Sequence, residues 1–536
     1  MKLSELIKYL PNKQIMGNLE IPIQGITYDS RRVSKDFLFA AIRGQHLDGS
    51  RFIPDAIKHG VSAILAEEPV TPSASPLLKG GIGGVTQIIV PDVREAMAIL
   101  AAAFYGEPSK KLTLLGVTGT NGKTTITYLV ESILKAAGFN VGVVGTINYR
   151  YANKIVNAPH TTPEAPDLQN IFKQMVDNGV THCIMEVSSH SLAQKRVDGS
   201  RFVGGIFTNL TQDHLDYHKT MEGYFKSKTR LFTDFIAKEK NGFSVINIDD
   251  PWGVRLKTMS LQALSRDQNS RFKILGYSLK QETEIHPVKV SFSEKGIEAM
   301  LNTPIGSVKI SSLLLGEYNL QNIMAAVGVG IGLGLDKQII ENGIANLKSV
   351  KGRLERILSN NFFGFQAVVD YAHTGDALER VLNTLRPLAK GRLITVFGCG
   401  GDRDRGKRPI MGEIATRLSD FTIITSDNPR SEDPVEIIKE VERGIMGGRK
   451  WEVGSGGKDF SASHIPHPTS HNYAVIPDRH EAIRAAVNMA DTNDIILVAG
   501  KGHEDYQIIG SAKIHFNDSE EIKRAMEQRD AIKATG

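Results

Sequence analysis

The sequence predicts an α/β protein of three domains, and three observations carry that prediction. Short apolar runs of strand length recur along the chain with helix-period segments between them, as parallel sheets covered by helices require. A Gly-rich loop, Gly119–Thr125, stands between one such run and a helix. The chain has 536 residues, and at roughly 100–200 residues per domain that length suggests about three. The expected division is a small N-terminal α/β domain over 1–107, a central P-loop domain with a doubly wound, mainly parallel sheet over 108–350, and a Rossmann-like α/β domain over 351–536.

In the first segment, Ile21–Tyr28, Asp36–Ile42, Ala63–Ala66 and Gln87–Val90 have strand character, and Phe52–His59 has that of a helix. Met1–Leu10 forms a short amphipathic helix pattern with Lys2, Glu5 and Lys8. Pro69–Gly84 is a Pro/Ser/Gly-rich loop; Asp92 then caps a helix running to about Tyr105, and Gly106–Ser109 marks a boundary. The second segment opens on Leu112–Val117, a continuous apolar run of the kind a buried parallel strand needs. After the Gly-rich loop, Ile126, Leu129, Ile133, Leu134 and Ala137 share one helix face, Gly138 stops the helix, and Val141–Val144 is the next strand. His182–Val187, Gly204–Thr208 and Ser244–Ile248 continue the alternation. In the third segment the strands are Phe365–Asp370, Leu393–Phe397, Phe421–Thr425 and Ile495–Val498. Gly447–Asn472 is polar, Gly/Ser/His-rich and aperiodic, so it is expected to be a long surface loop or disordered insert.

Composition excludes several classes. With 41% apolar and 23% charged residues, each domain can bury its own core. A net charge of +5 without a basic block gives no nucleic-acid footprint. Two distant cysteines, Cys183 and Cys399, make neither a disulfide framework nor a zinc site and suit a reducing compartment. The N-terminus lacks a signal-peptide core, and the most apolar stretch, Ile323–Leu335, falls short of the about 20 residues that span a bilayer. A cytoplasmic protein without a membrane span is expected.

The motifs carry the chemistry. In Gly119-Thr120-Asn121-Gly122-Lys123-Thr124-Thr125 the glycines let amides approach phosphate oxygens, Lys123 reaches the β/γ phosphates and the Thr124 hydroxyl can ligate Mg²⁺. The first Gly of the usual P-loop would fall at Val117, so this is a variant; a plain Gly-rich turn is the plainer alternative. Glu186 ends an apolar strand, where a carboxylate can hold the Mg²⁺ of a P-loop nucleotide; the following Ser188 or Ser189 would equally serve as a helix cap. Asp213, His214, Asp216 and His218 crowd a short stretch after a strand. His214 and His218 have the spacing of a zinc pair, yet no third ligand follows, and His218 better suits a structural hydrogen bond.

These segments together resemble the Mur ligase family of peptidoglycan synthesis, and the similarity runs nearly the whole chain in the family's order. Thr27–Arg31, with Gly44 and Asp48-Gly49, resembles its UDP-binding segment; Thr161-Thr162-Pro163, Gln194 and Arg196 resemble its muramoyl contacts. Gly316–Asn322 and Gly352–Glu355 resemble nucleotide-contacting segments; Asp370–Thr374, Gly398–Asp404, Asp427–Arg430 and Gly500–Glu504 belong to the C-terminal domain. The resemblance implies ATP contacts at Gly119–Thr125, Asn319, Arg353 and Asp370, and UDP-substrate contacts at Tyr28, Ser30, Thr161, Thr162, Ser188, Gln194 and Arg196. It implies a diaminopimelate pocket from Arg403, Asp427, Asn428, Pro429, Arg430, Gly500 and Glu504. Lys123, Glu186, His214 and Lys228 would be catalytic, with Mg²⁺ on Thr124, Glu186, His214 and a CO₂-derived carbamate of Lys228. On its residues alone Lys228 is an ordinary helix lysine, and Lys226 competes for the role. Gly375 stands where the family has Pro, which suggests a looser turn.

The implied reaction is ATP-dependent. A carboxylate of UDP-N-acetylmuramoyl-L-alanyl-D-glutamate becomes an acyl phosphate, and the amine of meso-2,6-diaminopimelate displaces phosphate. Arg430, helped by Arg403, would bind the carboxylate that diaminopimelate has and lysine lacks, and Glu504 would meet an ammonium. A monomer is expected. The alternatives are a lysine-adding relative, a folylpolyglutamate synthase-like ligase and, from another class, a nucleotide-switched regulatory protein.

Overall fold

The computed structural model describes residues 1–44, 48–70, 84–264, 272–357, 364–445, 449–451 and 472–535. The chain forms two compact units, residues 1–286 with 324–343, and residues 287–323 with 344–536.

The first unit holds two sheets. The N-terminal one runs in the order Gln14–Met16, Thr86–Ile89, Ala63–Ala66, Phe37–Ala40, Gly25–Thr27, parallel except at its first strand. The expected strand at Ile21–Tyr28 is shorter because Pro22 cannot donate to a ladder; Ile23 and Ile26 are buried all the same. Helix Val93–Phe104, capped by Asp92, buries Val93, Met97 and Leu100 against this sheet's core.

The second sheet has eight strands: Lys273–Tyr277, Phe243–Asn247, Gly204–Phe207, Thr113–Thr118, His182–Glu186, Val141–Val144, Asn148–Tyr151 and Lys154–Asn157. The first six are parallel; the last two add an antiparallel ribbon that the sequence did not announce. Helices cover the parallel part, so its central strands are buried on both faces and have apolar runs rather than alternation. Helix Lys123–Ala136 buries Ile126, Leu129, Ile133 and Leu134, the stripe its period predicts, and ends with Gly138 at φ +80°.

The second unit is built on a seven-stranded sheet in the order Glu355–Ile357, Gln366–Asp370, Ile495–Ala499, Leu393–Phe397, Phe421–Ile424, Asn472–Val475, Arg449–Trp451, parallel except at its first strand. A three-stranded antiparallel sheet, His286–Ser293 with Gly296–Asn302 and Val308–Ser312, and a hairpin, Tyr506–Ile509 with Ala512–His515, complete the strand inventory among the described residues. Of the predicted insert, Arg449–Trp451 forms an edge strand, a correction to the expected loop; most of the remainder lies outside the described residues, as does most of the Pro69–Gly84 loop. Gly375, where a looser turn is expected, opens a capped helix. Thr374 caps the helix Gly375–Leu385 by accepting from the Ala377 amide, and Gly375 takes the first helical position.

Candidate functional site

The P-loop leaves the carboxyl end of strand Thr113–Thr118, at the middle of the eight-stranded sheet. Register sets its neighbours: Glu186 pairs with Val117 on one side and Phe207 with Thr118 on the other. Strand ends on both flanks therefore deliver Glu186 and Thr208-Asn209 to the loop. Asn209 Oδ1 accepts the Asn121 amide at 2.9 Å, and the Thr208 hydroxyl donates to the Asn121 carbonyl at 2.7 Å. Only glycine fits position 119: its φ is +140°, and a Cβ there would lie 1.8 Å from Thr208 Oγ1. Lys123 folds over the loop, its Nζ donating to the carbonyls of Gly119 at 2.9 Å and Thr120 at 2.8 Å.

Glu186 is buried and held from three directions. Thr124 Oγ1 donates to its Oε1 at 3.0 Å, the Thr146 amide to Oε1 at 2.9 Å, and the Thr146 hydroxyl to Oε2 at 2.9 Å. Two oxygen-bearing side chains, Thr124 and Glu186, thus adjoin at the phosphate end of the loop, a donor pair that suits a hard cation. Ser188 also caps the helix Ser189–Ala193, the other use the sequence offered for this stretch.

Lys228 is not a solvated helix lysine. It is 1% exposed, and Nζ donates to the Gly119 carbonyl at 2.8 Å while lying 4.6 Å from the Tyr224 ring centroid. Burial, and then the nearby Lys123 cation, hold its amine well below the ordinary lysine value. The competing Lys226 is exposed. The imidazoles gather beside it: His190 and His214 rings are 4.8 Å apart, and His218 stacks on Tyr224 at 5.1 Å. Burial and His214 push His190 down to about 4, and burial with His190 does the same to His218. His218 faces Ser189 Oγ at 2.9 Å and Ser227 Oγ at 3.3 Å, the structural use expected of it. Among the described residues no three His, Cys, Asp or Glu side chains form a metal-holding group, so the zinc alternative for His214 and His218 finds no third ligand.

The residues expected at the UDP substrate lie in the same unit. Thr161 Oγ1 meets Thr146 Oγ1 at 3.0 Å, and Thr162 Oγ1 both donates to the Glu186 carbonyl at 2.8 Å and accepts the Ser188 amide at 3.2 Å. Arg196 donates to the Thr162 carbonyl at 3.0 Å, to Gln194 Oε1 through Nε at 3.0 Å, and pairs with Glu164 at 2.9 Å. Thr161, Thr162, Ser188, Gln194 and Arg196 are thereby tied to the Glu186 strand end. Ser30 is buried in the turn Ser30–Arg32. Tyr28 instead donates to Asp167 Oδ2 at 2.8 Å and lines a cavity of about 490 Å³ with Arg32, Tyr149, His160 and Asp167.

In the second unit, four motifs share one sheet edge. Asp370 pairs with Ala499, Phe397 with both Ala499 and Ile424, so the segments after them leave the sheet side by side. Gly401 lets the Asp427–Arg430 loop close in, since a Cβ there would lie 1.9 Å from the Pro429 carbonyl oxygen. Arg430, at φ +53°, is clamped to the hairpin: its amide donates to the Ile508 carbonyl at 3.1 Å, and its own carbonyl accepts from the Gly510 amide at 2.8 Å. Its guanidinium donates to the Gly401 carbonyl at 2.7 Å. It is half-buried, not a free surface arginine, whereas Arg403 is exposed. Asn428 and Asp427 are buried; Asn428 Nδ2 donates to Glu504 Oε2 at 2.8 Å, and Gly500 takes φ +112°. Burial, and Asp427 beside it, raise the Glu504 carboxyl above its ordinary value against the opposing pull of Lys501. Asp370 is buried and accepts the amides of Leu354 at 2.7 Å and Ala372 at 2.8 Å, and the Arg353 guanidinium lies 4.6 Å from the Tyr371 ring. Asn319 is buried and donates to the Leu315 carbonyl at 2.8 Å.

Sequence reasoning did not single out Thr146, Asn209 or Lys501 as site residues. Lys501 lies inside the Gly500–Glu504 segment, Asn209 directly follows the strand Gly204–Thr208, and Gly145-Thr146 follows a strand, the only signal that pointed to it.

Three family descriptions match: "Mur ligase family, catalytic domain" over residues 22–105, "Mur ligase middle domain" over 117–330, and "Mur ligase, glutamate ligase domain" over 352–502. The chain is 46% identical over 532 residues to a UDP-N-acetylmuramoyl-L-alanyl-D-glutamate–2,6-diaminopimelate ligase of Geobacter metallireducens, covering 98% of this chain and 99% of the relative. It is 42% identical to the ligase of the same name from Clostridium tetani, over 98% and 100% of the two chains. A solved structure of a ligase of that name superposes with a TM-score of 0.67 at 32% identity, covering 99% of this chain and 100% of the other. On similarity of this depth across its full length, the chain belongs to the Mur ligase family.

Proposed function

We infer that this chain is an ATP-dependent ligase that joins 2,6-diaminopimelate to UDP-N-acetylmuramoyl-L-alanyl-D-glutamate in peptidoglycan precursor synthesis. The observation that carries this is identity above 40% over nearly the whole chain to ligases of that name. A folylpolyglutamate synthase structure, by contrast, shares the fold at 17% identity over 75% of this chain.

A carboxylate is a poor electrophile until its oxygen has attacked the γ-phosphorus of ATP and ADP has left. The P-loop amides and Lys123 would bind and orient that phosphate. Thr124 and Glu186 fit Mg²⁺ as oxygen donors; when bound, the cation supplies charge neutralisation on the phosphates. Lys228 as an amine donates a hydrogen bond to the Gly119 carbonyl, and a carbamate would give it the anionic oxygens that Mg²⁺ prefers. A neutral amine attacks CO₂, a C–N bond forms as one C=O π pair moves onto oxygen, the N–H proton passes to water, and the carbamate anion results. Its depressed basicity favours the neutral form that this step needs. With His214 it would then serve a second Mg²⁺. Thr161, Thr162, Ser188, Gln194 and Arg196, beside the Glu186 strand end, would place the muramoyl peptide, and Tyr28 and Ser30 its UDP end. Asn319, Arg353 and Asp370 would meet the nucleotide, Asp370 through the Leu354 and Ala372 backbone it holds.

For the amine, Arg403 and Arg430 would take the extra carboxylate of diaminopimelate, with Asp427–Pro429, Gly500 and Glu504 framing its ammonium and stem. We assign the UDP end to residues 1–107, ATP to 108–350 and the amino acid to 351–536, in a cytoplasmic monomer. No helix among the described residues is long and apolar enough to cross a membrane. The test is phosphate release with each substrate omitted in turn and a panel of diamino acids. Release that needs the muramoyl dipeptide and diaminopimelate together is expected; release with ATP alone at the same rate, or preference for lysine, overturns the reading.

A further inference from the structure

Lys501 lies wholly buried beneath the second unit's motif edge, at 0% exposure. Its Nζ is 3.3 Å from Asn428 Oδ1, 3.4 Å from Glu504 Oε2 and 3.6 Å from Asp427 Oδ1. A lysine is seldom buried this deeply unless partners receive it. Here all three are residues assigned above to the amino-acid substrate, and the ammonium also lies 5.6 Å from the Tyr506 ring. We propose that Lys501 is a positioning residue for the amine substrate: it orients the Asn428 amide and balances Asp427 and Glu504 so that Glu504 meets the incoming ammonium as a carboxylate. The proposal rests on the reading of Asp427–Arg430 and Glu504 as the acceptor pocket.

Two features carry it. Asn428 Oδ1 accepts from both Lys501 and the Ile508 amide, the latter at 2.9 Å, which fixes the amide so that Nδ2 points to Glu504 at 2.8 Å. Asp427 and Glu504 are neighbouring carboxyls in a site with little water, and like charges there favour protonation of one of them. Asp427 pushes the Glu504 carboxyl up and Lys501 pulls it down. Tyr371, Tyr506 and Arg479 also sense Glu504. Without Lys501, Glu504 would carry a proton to higher pH, and a neutral acid is a weak partner for an ammonium.

The test uses the full-length enzyme with Lys501→Met, Glu504→Gln and the double variant. For Lys501→Met, the KM for diaminopimelate should rise about tenfold or more, with KM for ATP and the muramoyl dipeptide within about twofold. The acid limb of kcat/KM for diaminopimelate should move up by about one pH unit. In the double variant the Lys501 effect should vanish into that of Glu504→Gln, because the group it acts through is gone. Equal losses for all three substrates, an unmoved acid limb, or full additivity in the double variant would each overturn the proposal. Removing the cation alone strands buried carboxylates; if Lys501→Met does not fold, the double variant against Glu504→Gln decides by the same criterion. Failure of both to fold would make Lys501 structural and also overturn the proposal. Glu504→Gln with unchanged diaminopimelate KM overturns the pocket reading and the proposal with it; an impaired Glu504→Gln beside a normal Lys501→Met overturns the role of Lys501 alone.

Discussion

Replacing Lys228 by Met separates chemistry from stability. The side chain is 1% exposed and its Nζ bonds the Gly119 carbonyl. That carbonyl also receives Lys123 at 2.9 Å, so it keeps a partner when Lys228 is lost. Met has nearly the same length and volume and removes a buried amine, and volume-conserving core swaps cost under about 1.5 kcal/mol. For a chain of this size that is a Tm change of no more than about 5 °C. Turnover is another matter. If the carbamate on Lys228 stabilises charge developing at the phosphoryl group, its loss should cost roughly 10²–10³-fold, about 3–4 kcal/mol. The assay is phosphate release with all three substrates saturating, beside a thermal melt of the same preparation. Turnover within about tenfold of wild type would remove Lys228 from the mechanism. A melting point lowered in step with activity would make the residue structural instead.

Further outcomes follow from the same coordinates. Gly145→Ala would put a Cβ 2.6 Å from Glu186 Oε1 and displace the carboxylate from Thr124 and Thr146; kcat should fall about tenfold or more while the KM for diaminopimelate stays put, as steady-state kinetics will show. Arg430→Ala should weaken diaminopimelate binding by about 2–5 kcal/mol and ATP binding little, measured by titration calorimetry; equal loss for both would make Arg430 structural. Arg479→Met leaves Asp518, fully buried and paired with it at 2.7 Å, without its cation; about 3–5 kcal/mol of stability should go, read as a denaturation midpoint. The activity regained on adding bicarbonate to CO₂-depleted enzyme should persist to lower pH than an ordinary lysine allows. Protonation blocks attack on CO₂ only below the amine's pKa, and burial has lowered that pKa; recovery confined to strongly alkaline pH would contradict the buried-amine account.

What was legible in the sequence was what periodicity and strand ends dictate. Leu112–Val117, His182–Val187 and Leu393–Phe397 show as unbroken apolar runs because their strands are buried on both faces, and the chemistry sits where those runs stop. Glu186 could be marked as a candidate on that ground alone, whereas Asp370 and Asp427 were marked only by the resemblance of their segments to the Mur ligase family. The antiparallel pieces were not legible. Asn148–Tyr151 with Lys154–Asn157 turns at Ala152-Asn153, both at positive φ, without a glycine to announce it. Lys154–Asn157 is exposed along its length, so no alternation marks it. The depth of Lys228 was equally hidden, since Tyr-Phe-Lys-Ser-Lys gives two lysines two positions apart and only packing decides which is buried.

The three lysines of the two sites argue that environment, not residue type, sets the chemistry. Lys123 lies half-buried over the loop carbonyls of Gly119 and Thr120, on the loop that would bind phosphate. Lys228 meets the same Gly119 carbonyl from the buried side, with the Lys123 cation near it and an aromatic ring beneath. A carbonyl dipole repays little of the desolvation of an ammonium, so that site selects the free amine, the only form that can take up CO₂. Lys501 is buried as deeply but stands against two carboxylates and an amide oxygen. Exchanging partners should therefore exchange behaviour. A Thr120→Asp substitution that brought a carboxylate near Lys228 would stabilise its ammonium, suppress carbamylation and leave an enzyme that bicarbonate does not reactivate. Undiminished reactivation in that variant, with its carboxylate shown by structure to reach Lys228, would refute the claim that burial and the Lys123 cation, outweighing the pull of Asp213, are what make this lysine reactive.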